Sequence, residues 1–144
     1  MSVAQKFYPK FFIYALRFDG VLSDAGTTEC KIALYDENAT FDVEHGEYSD
    51  VSSNILAGTG KSININVYRD GYRLYFEIPE VSWSSLQNEQ FQHIIIWREA
   101  EKPGAILLMH LDLGSPQSPI NGEFSLAPDE NCIPNVDFSH EVCV

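Results

Sequence analysis

The sequence predicts an all-β fold, an antiparallel β-sandwich of jelly-roll or Greek-key type with one short N-terminal helix. Three observations lead there. Short β-rich runs recur at close spacing, turn residues such as Asp70-Gly71 and Pro103-Gly104 stand between them, and aromatic residues make up 12% of the chain. Bulky rings suit the pleated, half-buried surface of a sheet. The 144 residues are read as one domain, with 129–144 as a possible extended tail.

Phe7–Phe18 carries apolar residues at Phe11, Ala15 and Phe18, the i, i+4, i+7 spacing of a helix face, and Pro9 fits a first helical turn. A short helix ended by Asp19-Gly20 is expected. Glu29–Tyr35 alternates as a strand. Residues 36–60 are rich in Asp, Glu, Ser and Gly and predict a long excursion with one helical turn near Val51.

The clearest local pattern is Lys61–Ile78. Ile63, Ile65 and Val67 share one face, and Ser62, Asn64, Asn66 and Tyr68 share the other. Placing Asp70-Gly71 in a two-residue type I′ turn sets Val67 opposite Leu74, Ile65 opposite Phe76 and Ile63 opposite Ile78, with every apolar pair on one side. Val81–Ser84 reads as a short strand. His93–Trp97 and Ala105–Leu111 are apolar on both faces and form adjacent central strands joined by the turn at Glu101–Gly104. Asn121–Leu126 gives a last alternating strand. Beyond Pro128 the tail is polar, with anchors at Ile133, Val136 and Phe138.

Nine Lys and Arg stand against 21 Asp and Glu, a net charge of −12. That balance opposes binding to nucleic-acid phosphates and to anionic membranes, so neither is expected as a partner. No run reaches the roughly 18 apolar residues of a membrane span, and no secretory signal pattern follows Met1. Cys30, Cys132 and Cys143 are scattered and odd in number, which predicts reduced thiols rather than a disulfide framework, and no CxxC pair suggests zinc.

Two segments imitate ligand sites. Gly58-Thr59-Gly60-Lys61-Ser62 ends like a phosphate-binding loop, but the first required glycine falls on Ile55 and a strand follows instead of a helix. Asp36–Glu47 spaces oxygen ligands like a calcium loop, but Phe41 occupies the position that needs glycine. His45, His93, His110 and His140 lack metalloprotease spacing, and no nucleophile elbow or paired-carboxylate motif is present. Trp83 and Trp97 read as core residues on strands. No catalytic residue, metal site or cofactor is therefore expected.

The order of the pieces resembles a family of tailed-bacteriophage virion structural proteins. The resemblance runs over about residues 6–127. It is carried by Lys6–Phe11, Lys31–Tyr35, Ala39–Val51 with its Thr40-Phe41 and Asp42-Val43 pairs, Ala57–Gly60, Phe76–Ser84, Ile94–Arg98, Leu111–Gly114 and Asn121–Leu126. The turn after Gly60 lacks the family's longer Gly-rich insertion, and the tail beyond Pro128 has no counterpart. The resemblance implies a non-enzymatic β-sandwich subunit on the virion, a capsid cement or decoration protein on the head exterior that is made in the host cytoplasm. A tail, neck or fibre accessory protein is the alternative within virions, and a carbohydrate- or ligand-binding β-sandwich the alternative outside them. The implied partners are the major capsid protein or other virion proteins, and a dimer or trimer is expected because closed symmetry multiplies weak contacts. The expected contact surfaces are Asp36–Gly60 with Phe41 and Tyr48, Phe7–Phe18 with Phe12 and Tyr14, and the tail with Val136 and Phe138.

Overall fold

A computed structural model describes residues 3–18, 25–87, 89–99 and 104–139. The elements in chain order are β1 (Ala4–Phe7), α1 (Pro9–Phe18), β2 (Ala25–Tyr35), β3 (Lys61–Asp70), β4 (Arg73–Glu77), β5 (Val81–Trp83), β6 (Phe91–Glu99), β7 (Ala105–Gln117), β8 (Phe124–Leu126) and β9 (Asn135–Asp137). Seven strands form one antiparallel sheet in the order β1-β7-β6-β2-β3-β4-β9, and β5 pairs with β8 in a small second sheet. The class is all-β, antiparallel and sandwich-like, with one short helix. Within the large sheet the run β6-β2-β3-β4 is a Greek key: β6 returns through β5 to lie beside β2, the first strand of the three.

The large sheet curls. β1 and β4 stand five strand positions apart in the order, a separation of about 24 Å in a flat sheet. Yet the rings of Phe7 on β1 and Phe76 on β4 lie 5.0 Å apart. Curling brings the two edges to a seam, and the inner surface becomes a core of Ile32, Leu34, Ile63, Ile65, Phe76, Ile94, Ile96, Met109 and Leu111. Val81, Trp83 and Leu126 from the small sheet close this core, with Phe7, Phe11 and Phe12 packed against it.

Because β2, β6 and β7 are central, their outer faces are buried too. Ala33, Tyr35, Ile95, Trp97 and Leu107 form a second cluster, covered by Ala39, Phe41, Tyr48, Val51 and Ile55 of the excursion between β2 and β3. Two short 3₁₀ turns, Tyr48–Asp50 and Ser52–Asn54, flank Val51, where the sequence predicted one helical turn. The paired central strands β6 and β7 agree with expectation, and both extend beyond the predicted bounds.

Four details correct the sequence reading. The β3–β4 hairpin pairs Asp70 with Arg73, so its turn is Gly71-Tyr72, not Asp70-Gly71. Val67 therefore faces Phe76, two residues from the predicted Leu74. A slip of two preserves the side-chain faces, so the apolar pattern could not detect it. Gly71 has φ +59° and Tyr72 is not left-handed, which matches glycine leading a type II′ turn. The type I′ signature sits instead at Asn121-Gly122, with φ 54° and 73°, between the mutually bonded Ile120 and Glu123; the sequence reading had placed this pair inside a strand. Ala4–Phe7, not assigned to any strand, pairs with β7 ahead of the predicted helix. Asn135–Asp137, read as part of an extended tail, forms β9 against β4. The predicted helix stop at Asp19-Gly20 lies outside the described residues, as do His140, Cys143 and most of the turn before Gly104.

Candidate functional site

The register of β6 and β7 sets His93 opposite Asp112 and Ile95 opposite His110, so the two histidines are diagonal neighbours on the outer face. Their side chains are 3% and 2% exposed. His110 Nε2 lies 2.8 Å from His93 Nδ1, His93 Nε2 lies 3.3 Å from the Glu37 carbonyl oxygen, and the Tyr8 hydroxyl lies 3.3 Å from His110 Nδ1. One end of this chain fixes all the proton positions. A carbonyl can only accept, so His93 Nε2 donates to Glu37 and leaves Nδ1 bare. His110 Nε2 must then donate to His93, and the Tyr8 hydroxyl donates to His110 Nδ1. In this arrangement every ring nitrogen and the hydroxyl has a partner.

The surroundings hold that state. Burial, then the neighbouring His93, lowers the His110 pKa to about 4. Burial also pushes the Tyr8 hydroxyl above its ordinary range, with Asp42 and Asp50 adding to it. Phe41 packs on Tyr8 at 5.0 Å and on His110 at 5.8 Å, so the excursion roofs the relay. Asp112 Oδ1 stands 3.8 Å from His93 Nδ1, beyond hydrogen-bond length, and accepts from Gln92 and the Gly114 N–H instead. Burial works against the Asp112 carboxylate, but those donors hold its pKa below the usual value. The Tyr35 hydroxyl and His45 Nδ1 are buried without a hydrogen-bond partner among the described residues.

The Cys30 thiol belongs to the inner core, and burial pushes its pKa up to about 12, far from a reactive thiolate. Cys132 is exposed, and both thiols are free. The chemistry that the geometry supports is cross-linking: Tyr8 before α1, strands β6 and β7, and the excursion at Glu37 are tied into one unit.

The two imitations of ligand sites have structural duties. Thr59 of the phosphate-loop mimic is buried. Its hydroxyl accepts from the Leu34 N–H at 3.1 Å and donates to the Leu56 carbonyl at 2.7 Å, and its own carbonyl accepts from Trp83 Nε1 at 2.6 Å. It pins the end of the excursion to β2 and to the small sheet. In the calcium-loop mimic, Asp36 accepts from the Asn38 N–H and Asp42 from the Glu44 N–H, so these carboxylates cap their own turns. Asp50 accepts from Gly46 and Glu47, and these two bonds depress its pKa. Trp83 and Trp97 are core residues, as expected.

Of the expected contact residues, Phe41 and Tyr48 pack on the outer cluster, and Phe12 and Val136 on the inner core. Phe138 is exposed, with Ile13, Val43, Tyr72 and Ile120. Sequence reasoning passed over the outward face of the β3–β4 hairpin. There Tyr68 and Tyr75 are opposite in register and stack at 5.1 Å and 13°, with the exposed Asn64, Asn66 and Glu77 in adjoining rows. The missing signal was the register, because the predicted pairing set Tyr68 against Arg73. No family model, no curated protein and no solved structure matches the chain.

Proposed function

We propose that this chain is a non-enzymatic structural subunit of a tailed-phage virion, a capsid cement or decoration protein on the head shell. One observation carries the reading. The segments that bear the sequence resemblance are the fastenings of the fold: Phe41 roofs the relay, Thr59 ties three elements together, and Trp83 closes the inner core. Residues spent on holding loops against a sheet suit a part whose task is rigidity. The net charge of −12 fits a place outside a shell that encloses nucleic acid. On this reading the subunit is a dimer or trimer, and exposed apolar residues such as Ile120 and Phe138 are the contacts to its partners.

Quantitative mass spectrometry of purified particles tests the proposal. Hundreds of copies per particle fit a cement protein, and about a dozen fit a tail, neck or fibre accessory protein. Absence from particles overturns both.

A second reading, a carbohydrate-binding module, is favoured by the Tyr68–Tyr75 stack beside Asn64, Asn66 and Glu77, since aromatic rings flanked by amides and carboxylates suit neutral sugars. Glycan-array binding that is lost in Tyr68→Ala and Tyr75→Ala would support it, and no binding would remove it.

A further inference from the structure

The outer cover is fastened differently from everything beneath it. We propose that the excursion from Asp36 to Leu56 is an acid-released cover, opened by protonation of the His93–His110 pair while the curled sheet stays folded.

The hydrogen-bond chain has no vacancy for another proton. Adding one at His93 Nδ1 sets two N–H groups against each other across 2.8 Å. Adding one at His110 Nδ1 turns the Tyr8 hydroxyl from donor to acceptor and leaves an imidazolium 2% exposed. Either charge needs water, and the layer that excludes water is the excursion itself, through Phe41 over His110 and Tyr8. The excursion's hold on His93 is the bond to the Glu37 carbonyl.

The charged and titratable groups around the pair come from every element packed on it. Lys6 of β1 faces His110 across the register and disfavours its protonation. Asp112 of β7, 3.8 Å from His93 Nδ1, favours protonation of His110. Tyr35 of β2 lies opposite His93. From the excursion, His45 lies 3.9 Å from Asp42 and, like Lys6, disfavours protonation of His110. The remaining fastenings act with the relay. Asp36, Asp42 and Asp50 hold the turns of the excursion by accepting backbone N–H groups, and Glu44 pairs with Lys10 of α1 at 3.8 Å. The inner core is apolar apart from the Cys30 thiol, so it has no comparable response.

Hydrogen exchange of the full chain, read by mass spectrometry at about pH 7 and about pH 4.5 with intrinsic rates corrected, tests this directly. Peptides within Asp36–Leu56 should lose protection by about tenfold or more at the lower pH, while β3 and β7 keep theirs. Uniform loss along the chain, or unchanged protection in the excursion, overturns the proposal. The double variant H93Q/H110Q assigns the trigger. The acid step should disappear from it; a step of the same size in the variant would place the response on the carboxylates and overturn the role of the histidines.

Discussion

The two faces of the central strands β2, β6 and β7 are covered in opposite styles. The inner face is closed by residues far apart in sequence, from Phe7 to Leu126, and its contacts are almost wholly apolar. The outer face is closed mainly by one continuous segment, and that segment is held by polar fastenings: the relay from Tyr8 to Glu37, the Thr59 pin and the carboxylate-capped turns. Apolar contacts make the inner face the seat of global stability. Directional bonds position the outer cover without adding much to it, because a typical hydrogen bond contributes only about 1 kcal/mol net. The two faces should therefore fail by different routes.

The largest effect belongs to the inner face. Ile96 is fully buried, so Ile96→Ala should cost about 3–4 kcal/mol of global stability. Urea unfolding would show a lower midpoint with an unchanged slope. A local loss confined to the outer cover would mean that the division between the faces is wrong.

Acidification sharpens the contrast. The His110 pKa is lowered to about 4, so the folded state binds fewer protons than the unfolded chain between about pH 4 and the ordinary histidine value of 6.5. Stability is complete above about pH 6.5 and declines as pH falls towards 4, by about 3 kcal/mol in all if this histidine acts alone. Unfolding midpoints measured across that window should fall in the native protein and stay nearly level in H93Q/H110Q.

The smallest effect lies away from both faces, at the hairpin tip. A Cβ on Gly71 would meet open space, so the cost of Gly71→Val is that of φ +59° alone, about 1–2 kcal/mol. Asn tolerates this region, and Gly71→Asn should recover most of the loss. Equal midpoints for Val and Gly would contradict the turn assignment.

Periodicity made the inner face legible in the sequence. Ile63, Ile65 and Val67 alternate, and His93–Trp97 and Ala105–Leu111 carry apolar residues on both faces, so the β class and the central strands could be read from composition and spacing alone. The hairpin register could not, since both pairings put the same side chains inward. β1 and β9 were hidden because Ala4–Phe7 and Asn135–Asp137 are short edge strands whose pairing comes from tertiary context, not from their own pattern. The relay was harder still. His93 and His110 both fall within runs that read as central strands, but only the β6–β7 register makes them neighbours. Tyr8 and Glu37 join them through contacts 102 and 56 residues apart in the chain.

The seam between β1 and β4 has a consequence for engineering. Gln5 Nε2 donates to the Cys132 carbonyl across it, the Phe76 N–H donates to Pro134, and Gln5, Phe7, Tyr75 and Asn135 line the same shallow cleft. The first and last described strands thus run close to one another along one line of the surface. Because every neighbouring pair between them is antiparallel, β1 and β9 run in the same direction, so a linker from the end of β9 to the start of β1 must span the length of a strand; new termini opened at the Asn121-Gly122 turn would then give a circular permutant with the same strand order.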